Sequence, residues 1–278
     1  MSADQHDKPY LSPSQLDMYC RCGEQYRRRY LEGEKLPPGI AAVKGTGFHG
    51  GAAVNMRQKI ESHCDLPKIQ IVDAAVAEFE AQLHGEIALT PEELSRGTEI
   101  VFGEAKDDLV VMAGLHASEQ APDYQPIIVE QRIRIELQNS PRDLLGVIDL
   151  ADDTGRVIDF KTAAKRKTQA DADDSVQLTT YAAAYHAHFG SPPSELRLDT
   201  VVRTKTKVYR DVQTTTRSGA DMEALANRIN VVTEAIEAGV FAPATPGAWW
   251  CSSKWCGYFH TCRYVNSQRE SLEKGYEV

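Results

Sequence analysis

Apolar positions along the chain first change their period near residue 127, from helical three- and four-residue steps to the two-residue alternation of strands. In the first part Leu16, Tyr19, Tyr26 and Tyr30 share a helical stripe behind Ser12-Pro13-Ser14-Gln15, a helix-opening signature, so one helix is predicted from Ser12 to about Leu31. A loop through Pro37, Pro38 and Gly39 follows. A second helix is predicted to begin between Gly45 and His49 and to run through Ala53, Met56 and Ile60, and a third spans about Ile71 to His84. Thr90-Pro91-Glu92-Glu93 then caps a long helix ending before Pro122.

From Ile127 the pattern alternates, as in Ile133-Arg134-Ile135, and two further strands, Leu144 to Leu150 and Arg156 to Lys161, are joined through Asp152-Asp153-Thr154-Gly155. A helix is predicted from Asp174 to Phe189, with Asp174 and Gln177 at capping-box spacing, then strands at Leu196 to Arg203 and Lys207 to Gln213, and a helix from Ala220 to Ala238. The end of the chain holds Trp249, Trp250, Trp255 and three of the six cysteines. No internal repeat interrupts this order. The expectation is a single α/β domain over 1–278, with a mainly helical part at 1–122, a core of mixed sheet and flanking helices at 123–240, and a cysteine-rich closure at 241–278.

The strand pair carries the chemistry. If Asp153, Thr154 and Gly155 form a three-residue loop with Gly155 left-handed, Asp152 pairs with Arg156, and counting outward sets Asp149 opposite Asp159. Opposed residues share a sheet face, and the two-residue period puts Lys161 on it as well, with Ile158 and Phe160 on the other. Two carboxylates that close, in apolar strands, repel unless a hard divalent cation such as Mg²⁺ or Mn²⁺ lies between them. The Lys161 ammonium beside them suits charge building on a phosphoryl group, which is the chemistry of phosphodiester hydrolysis. Glu130, an acid interrupting an apolar strand, stays outside this set as a more distant neighbour or a solvent-facing group.

Composition adds constraints. The 278 residues are 42% hydrophobic and 26% charged, proportions of a soluble globular protein, and no apolar run reaches the length of a membrane span. MSADQHDKPY lacks the features of a signal peptide, so a cytoplasmic location is expected. Lys plus Arg total 31 against 40 Asp plus Glu, a charge of -9, which on its face argues against a nucleic-acid partner. The basic residues are nonetheless grouped: Arg27, Arg28, Arg203, Lys205, Lys207 and the run Lys165-Arg166-Lys167 after Lys161 are candidate phosphate contacts. Gly45-Thr46-Gly47-Phe48-His49-Gly50 matches the dinucleotide-binding pattern G-x-G-x-x-G, but the residues after it read as helix then helix, without a βαβ unit.

Six cysteines in a cytoplasmic chain point to metal ligation more than to disulfides. Cys251-x4-Cys256-x5-Cys262 lacks a fourth ligand, and Cys22 is preferred over Cys20 because it falls on the apolar stripe of the first helix. Four thiolates suit Zn²⁺ or an iron–sulfur cluster; the chain has no Cys-x2-Cys knuckle typical of zinc, and Trp249, Trp250, Trp255 and Tyr258 are expected to shield a cluster.

Gly146-x-x-Asp149 followed by Asp159-Phe160-Lys161, Gln177-x-x-x-Tyr181 on the next helix and His49 upstream resembles the RecB-type branch of the PD-(D/E)XK nuclease superfamily, over Ser12 to Cys262. The resemblance implies a restriction-endonuclease-like core, metal binding by His49, Asp149 and Asp159, and assistance to hydrolysis by Lys161. It also places Gln177 and Tyr181 beside the active site, where they help to hold the DNA strand. Cys22-Gly23-Glu24-Gln25-Tyr26 is similar to the family's Cys-Pro-x-x-Tyr, with Gly for Pro. The resemblance joins Cys22 to Cys251, Cys256 and Cys262 around a [4Fe–4S] cluster, although the first gap of the triplet is four residues where two are more common. The expectation is a metal-dependent DNA exonuclease acting on single strands or duplex ends in repair, recombination or phage DNA processing, with a possible recombination or replication protein as partner. The rival from another class is a non-catalytic DNA-binding or recombination-scaffold protein on the same fold.

Overall fold

The computed structural model describes residues 8–138 and 140–265. These divide into two compact units: the described residues up to Pro13 with Pro37–Asn227, and Ser14–Leu36 with the described residues from Arg228. Among the described residues no helix is long and apolar enough to cross a membrane.

The first unit is built on a six-stranded mixed sheet of β1 (Tyr10–Leu11), β2 (Pro126–Ile135), β3 (Asp143–Asp152), β4 (Arg156–Ala163), β5 (Glu195–Arg203) and β6 (Val208–Thr215). β2 pairs antiparallel with one side of β3, while β1 (parallel) and β4 (antiparallel) share the other. β4 continues into β5 in parallel and β5 into β6 antiparallel. The helices of this unit follow the order α3 (Ile40–Ser62), α4 (Lys68–Leu83), α5 (Pro91–Arg96), α6 (Thr98–Leu115), α7 (Gln169–Asp173) and α8 (Val176–Phe189), ahead of α9 (Gly219–Glu237).

The sheet's side chains divide into two cores, by strand alternation except around Asp149, where Ile148 and Leu150, two residues apart, enter opposite cores. Leu150, Ile158, Phe160 and Val201 pack with Phe48, Phe79, Leu109 and Met112 of α3, α4 and α6. Ile148, Ala151, Val157, Leu196 and Leu198 pack on the other face with Leu178, Tyr181 and Ala184 of α8. Burying each such side chain contributes on the order of 1.5–3 kcal/mol, and the two layers fix the middle of the sheet between them.

The glycine motif around His49 is a packing device. The second helix begins at Ile40, five residues before its expected start, so Gly45 to Gly51 lie in a helix interior that propensity alone disfavours. A Cβ on Gly47 would come within 2.9 Å of Ala75 O, and one on Gly51 within 2.7 Å of Ala75 Cβ, so these glycines let α4 seat directly on α3. His49 is two residues from each and points roughly oppositely around the helix, away from α4. The helix expected from Thr90 to Pro122 keeps its Thr90–Glu93 capping box but breaks at Gly97, where φ is +93°, into α5 and α6.

In the second unit the helix expected over Ser12 to Leu31 is interrupted. α1 (Pro13–Arg21) ends at Cys22, which is extended (φ -164°, ψ 102°), and α2 (Gly23–Tyr26) and a π-helical turn (Arg27–Leu31) follow. The Gly23 N–H leaves the helix pattern to donate to Ala242 O at 2.7 Å. Tyr26 stacks on Phe241 at 6.4 Å, with Tyr19 edge-on to both.

Candidate active site

The β3–β4 turn forms as its residues require. Gly155 is left-handed at φ +82°, its N–H donates to Asp152 O, and Asp152 Oδ1 accepts from the Thr154 N–H and hydroxyl and the Arg156 N–H. Leu150 pairs with Ile158 and Ala151 with Val157, the register expected from the turn. The ladder stops there. At the next position outward the strands separate, and Asp149 Oδ2 accepts the Phe160 N–H at 3.1 Å across the opening.

Around this opening three polar side chains join the two aspartates. The Lys161 ammonium lies 2.8 Å from Asp159 Oδ1 and donates to Gln177 Oε1 at 3.2 Å. Gln177 Nε2 donates to the Tyr181 hydroxyl at 2.6 Å, which donates to Asp149 Oδ1 at 3.0 Å. The chain Asp159–Lys161–Gln177–Tyr181–Asp149 thus links the acids through a strand residue and two α8 residues four apart. Gln177 is free to serve there because Ser175, and not Asp174, caps α8, accepting the Leu178 N–H; the expected Asp174–Gln177 capping box is replaced by this arrangement.

His49 and Glu130 complete the opposite side. His49 Nδ1 lies 3.6 Å from both Glu130 Oε1 and Asp149 Oδ2, and one ligand atom from each of these three residues lies within 4.8 Å of the others. Glu130 is the residue that sequence reasoning left aside. Its φ of +48°, rare for a side chain other than Gly, Asn or Asp, occurs in the middle of β2, between Val129 paired with Leu150 and Gln131 paired with Ile148. A lone acid in an apolar strand was the available signal; the backbone twist that aims it was not legible.

The electrostatics match a site that holds a cation. Burial and the neighbouring Asp159 charge push the Asp149 pKa up to about 7, a carboxyl that resists ionisation without a compensating charge. Burial opposes a charged imidazole at His49, but the Glu130 and Asp149 carboxylates outweigh it and raise its pKa. Burial likewise opposes the Lys161 ammonium, and Asp159 and Asp149 outweigh it, so the lysine stays charged at neutral pH. Burial first, then the two aspartates, drives the Tyr181 phenol well above its ordinary value, which keeps it a hydrogen-bond donor.

The basic residues are distributed less simply. Arg27 is paired with Glu24 and Glu32, and Arg28 with Glu34. Arg203 and Lys44 share Asp108, at 2.8 and 3.1 Å. Lys165, Arg166, Lys205 and Lys207 are exposed.

In the second unit Cys22, Cys251, Cys256 and Cys262 line one recess with Gln25, Trp250 and Tyr258, whereas Cys20 and Cys64 are exposed. Burial, followed by the other three thiols, raises the Cys251 pKa. Gln25 Nε2 donates to Cys256 Sγ at 2.9 Å, with the Gln25 oxygen held by Arg21. Among the described residues the buried Trp250 indole N–H has no partner. A recess lined by four thiols, Trp250 and the Gln25 amide fits a sulfur-rich guest. The expected aromatic shield is half realised: Trp250 and Tyr258 line the recess, but Trp249 and Trp255 are 65% and 59% exposed because they lie on the outer side of the turns.

The profile of the PD-(D/E)XK nuclease superfamily matches residues 10–263. Among solved structures, a protein of Eubacterium rectale provisionally described as an exonuclease is similar at 13% identity and a TM-score of 0.54, covering 95% of this chain and 94% of that one. SSO0001 is similar at 12% identity over 95% of this chain and 89% of that one, with a TM-score of 0.43. At 13% identity the first likeness is one of fold. No curated protein matches the sequence.

Proposed function

The chain belongs to the PD-(D/E)XK nuclease superfamily, and on that premise we propose that it hydrolyses phosphodiester bonds of DNA, as an exonuclease acting on single strands or duplex ends. The observation that carries this reading is the linked set Asp159–Lys161–Gln177–Tyr181–Asp149, with His49 and Glu130 facing Asp149. His49, Asp149 and Asp159 hold Mg²⁺ or Mn²⁺, with Glu130 as a further oxygen donor. When bound, the divalent ion lowers the pKa of attacking water and offsets charge on the phosphate.

The protein's own groups do the rest. Asp149 and Asp159 lie at the opening where the β3–β4 ladder ends and are linked through Lys161, Gln177 and Tyr181, so a scissile phosphate there meets both. Lys161, charged and anchored by Asp159 and Gln177, presents its ammonium where negative charge develops in the pentavalent transition state. Tyr181 restrains the Asp149 carboxylate through Oδ1 and leaves Oδ2 toward His49. Gln177 joins the two halves and fixes the strand-facing side of the site.

Cys22, Cys251, Cys256 and Cys262 of the second unit would hold a [4Fe–4S] cluster in this reading. Support comes from the thiol set, the unpartnered Trp250 N–H and the Gln25 amide. The cluster role is structural, tying Cys22 to the C-terminal triplet as a long-range crosslink does. Protein purified without air should contain iron and labile sulfide; zinc without iron would reassign the site.

The nuclease reading is tested by incubating end-labelled single- and double-stranded DNA with wild type, Asp159→Ala and Lys161→Ala, in Mn²⁺, Mg²⁺ or chelator. Metal-dependent degradation that both substitutions abolish is expected. Degradation undiminished in both would remove the site assignment, and none by metal-loaded wild type would favour a non-catalytic DNA-binding protein.

A further inference from the structure

All three tryptophans of the chain fall within seven residues, Trp249 to Trp255, and two of them are turned outward. Trp249 is 65% exposed and Trp255 59%, with ring centroids 5.4 Å apart and planes at 85°. Exposed indoles are costly in water, and a pair of them is a patch that requires a use. Their position is not that of a loose loop. Trp249 rests edge-on against the half-buried Trp250, Ser252 Oγ donates to Trp249 O, and the Trp255 and Cys256 N–H groups both donate to Ser252 O. The rings are therefore held in place before any ligand arrives, which lowers the entropic cost of binding.

The charge around them selects the ligand. The chain carries -9 overall, yet no acidic residue occurs between Glu237 and Glu270, while Lys254 and Arg263 lie in that stretch. The Lys254 ammonium sits 5.3 Å from the centre of the Trp255 ring, so cation and aromatic face are presented together. A flat π-face for a base with a cation beside it for the adjoining phosphate is the combination by which proteins hold single-stranded nucleic acid without reading its sequence. A perpendicular ring pair also offers a corner in which one base stacks on one ring and meets the edge of the other.

From this we infer that Trp249, Trp255 and Lys254 form a platform that stacks unpaired bases of single-stranded DNA. The inference takes its ligand class from the nuclease reading but concerns a different site and a binding step, so it stands or falls without turnover. A protein partner docking on the same rings would need no bases, and the test separates the two.

The experiment uses full-length, metal-replete Lys161→Met protein, which preserves the DNA, at low salt. Fluorescently labelled oligo(dT) and an abasic oligonucleotide of the same length are titrated by anisotropy, with quenching of tryptophan emission followed in parallel. Trp249→Ala/Trp255→Ala should weaken oligo(dT) binding about tenfold or more, with most affinity retained by Trp249→Phe/Trp255→Phe. The abasic strand should bind weakly and respond little to either pair. Unchanged far-ultraviolet dichroism and iron content show that the exposed substitutions leave the fold intact. Equal oligo(dT) affinity in the Lys161→Met parent and in its Trp249→Ala/Trp255→Ala derivative would overturn the inference, as would an abasic strand that binds as tightly as oligo(dT), the outcome expected of a protein-docking patch. Loss of nuclease activity in the wild type would not affect either readout.

Discussion

Lowering the pH should destabilise the first unit through one buried imidazole. His116 is 1% exposed, with its ring edge-on to Phe48 and Phe160 at 5.5 and 5.2 Å. Gln120 gives its amide N–H to Asp199 Oδ1 at 2.7 Å and so turns its oxygen to His116 Nδ1 at 3.0 Å, which places the imidazole proton on Nδ1. Nε2 is left buried without a partner, and a second proton there would face the phenyl rings. Burial accordingly lowers the His116 pKa to about 4, despite the opposing pull of Gln120 and the Asp199 charge. The folded pKa lies below the unfolded value of about 6.5. The unfolded chain therefore takes the proton first, and this stability, complete above pH 6.5, is lost as pH falls toward 4.

Integrating between those values gives a loss of about 2 kcal/mol from pH 7 to pH 5. Asp149 works in the opposite sense, because its folded pKa of about 7 is raised and the folded state gains stability as it takes up a proton below pH 7. The wild-type profile alone is therefore not diagnostic. Urea unfolding of wild type and His116→Gln at pH 7, 6 and 5, without divalent metal, isolates the histidine, because Asp149 is common to both. The variant's stability relative to wild type should improve by about 2 kcal/mol over that range. Parallel pH profiles would refute the assignment of an unprotonated buried imidazole.

Three further outcomes are expected. Glu130→Gln should weaken Mn²⁺ binding about tenfold or more by calorimetry, since it removes an oxygen donor beside His49 and Asp149 while keeping its size; unchanged affinity would return Glu130 to the role of bystander. Arg210→Met should cost about 3 kcal/mol in urea unfolding, because Asp199, fully buried, loses the guanidinium that meets both its oxygens. Adding Asp199→Asn should recover part of that loss, and a double variant less stable than the single one would contradict a charge-pairing cause. Gln25→Leu should lower the reduction potential of the proposed cluster in anaerobic voltammetry by removing the N–H that would stabilise electron density on Cys256 Sγ, with iron content retained; an unchanged potential would leave Gln25 a packing residue only.

What could be read from the residues depended on how local its cause was. The β3–β4 register at Leu150–Ile158 and Ala151–Val157 followed from turn chemistry within Asp152 to Arg156, but the ladder ends there, and Asp149 is joined to Asp159 and Lys161 through Gln177 and Tyr181 and not by strand pairing. The Gln177–Tyr181 pair needed only helical spacing, although its freedom to act depended on Ser175 taking the cap. Glu130 was lost because its direction comes from a left-handed backbone forced by neighbouring strands, a non-local effect. The early start of α3 was hidden for the same kind of reason: its glycines disfavour a helix until α4 packs on them. The break at Cys22 depends on a backbone bond to Ala242, far away in sequence, and the outward turn of Trp249 and Trp255 depends on the turns that seat them.

The central claim is that a cation held near Asp149 and Asp159 hydrolyses DNA with Lys161 stabilising the transition state. Single-turnover cleavage of end-labelled single-stranded DNA by wild type and Lys161→Met, at saturating Mn²⁺ and with Mn²⁺ affinity measured on the same preparations, tests it most directly. Lys161→Met should bind Mn²⁺ no more weakly than wild type but cleave at least about a hundredfold more slowly. Equal cleavage rates for the two metal-saturated proteins would contradict it.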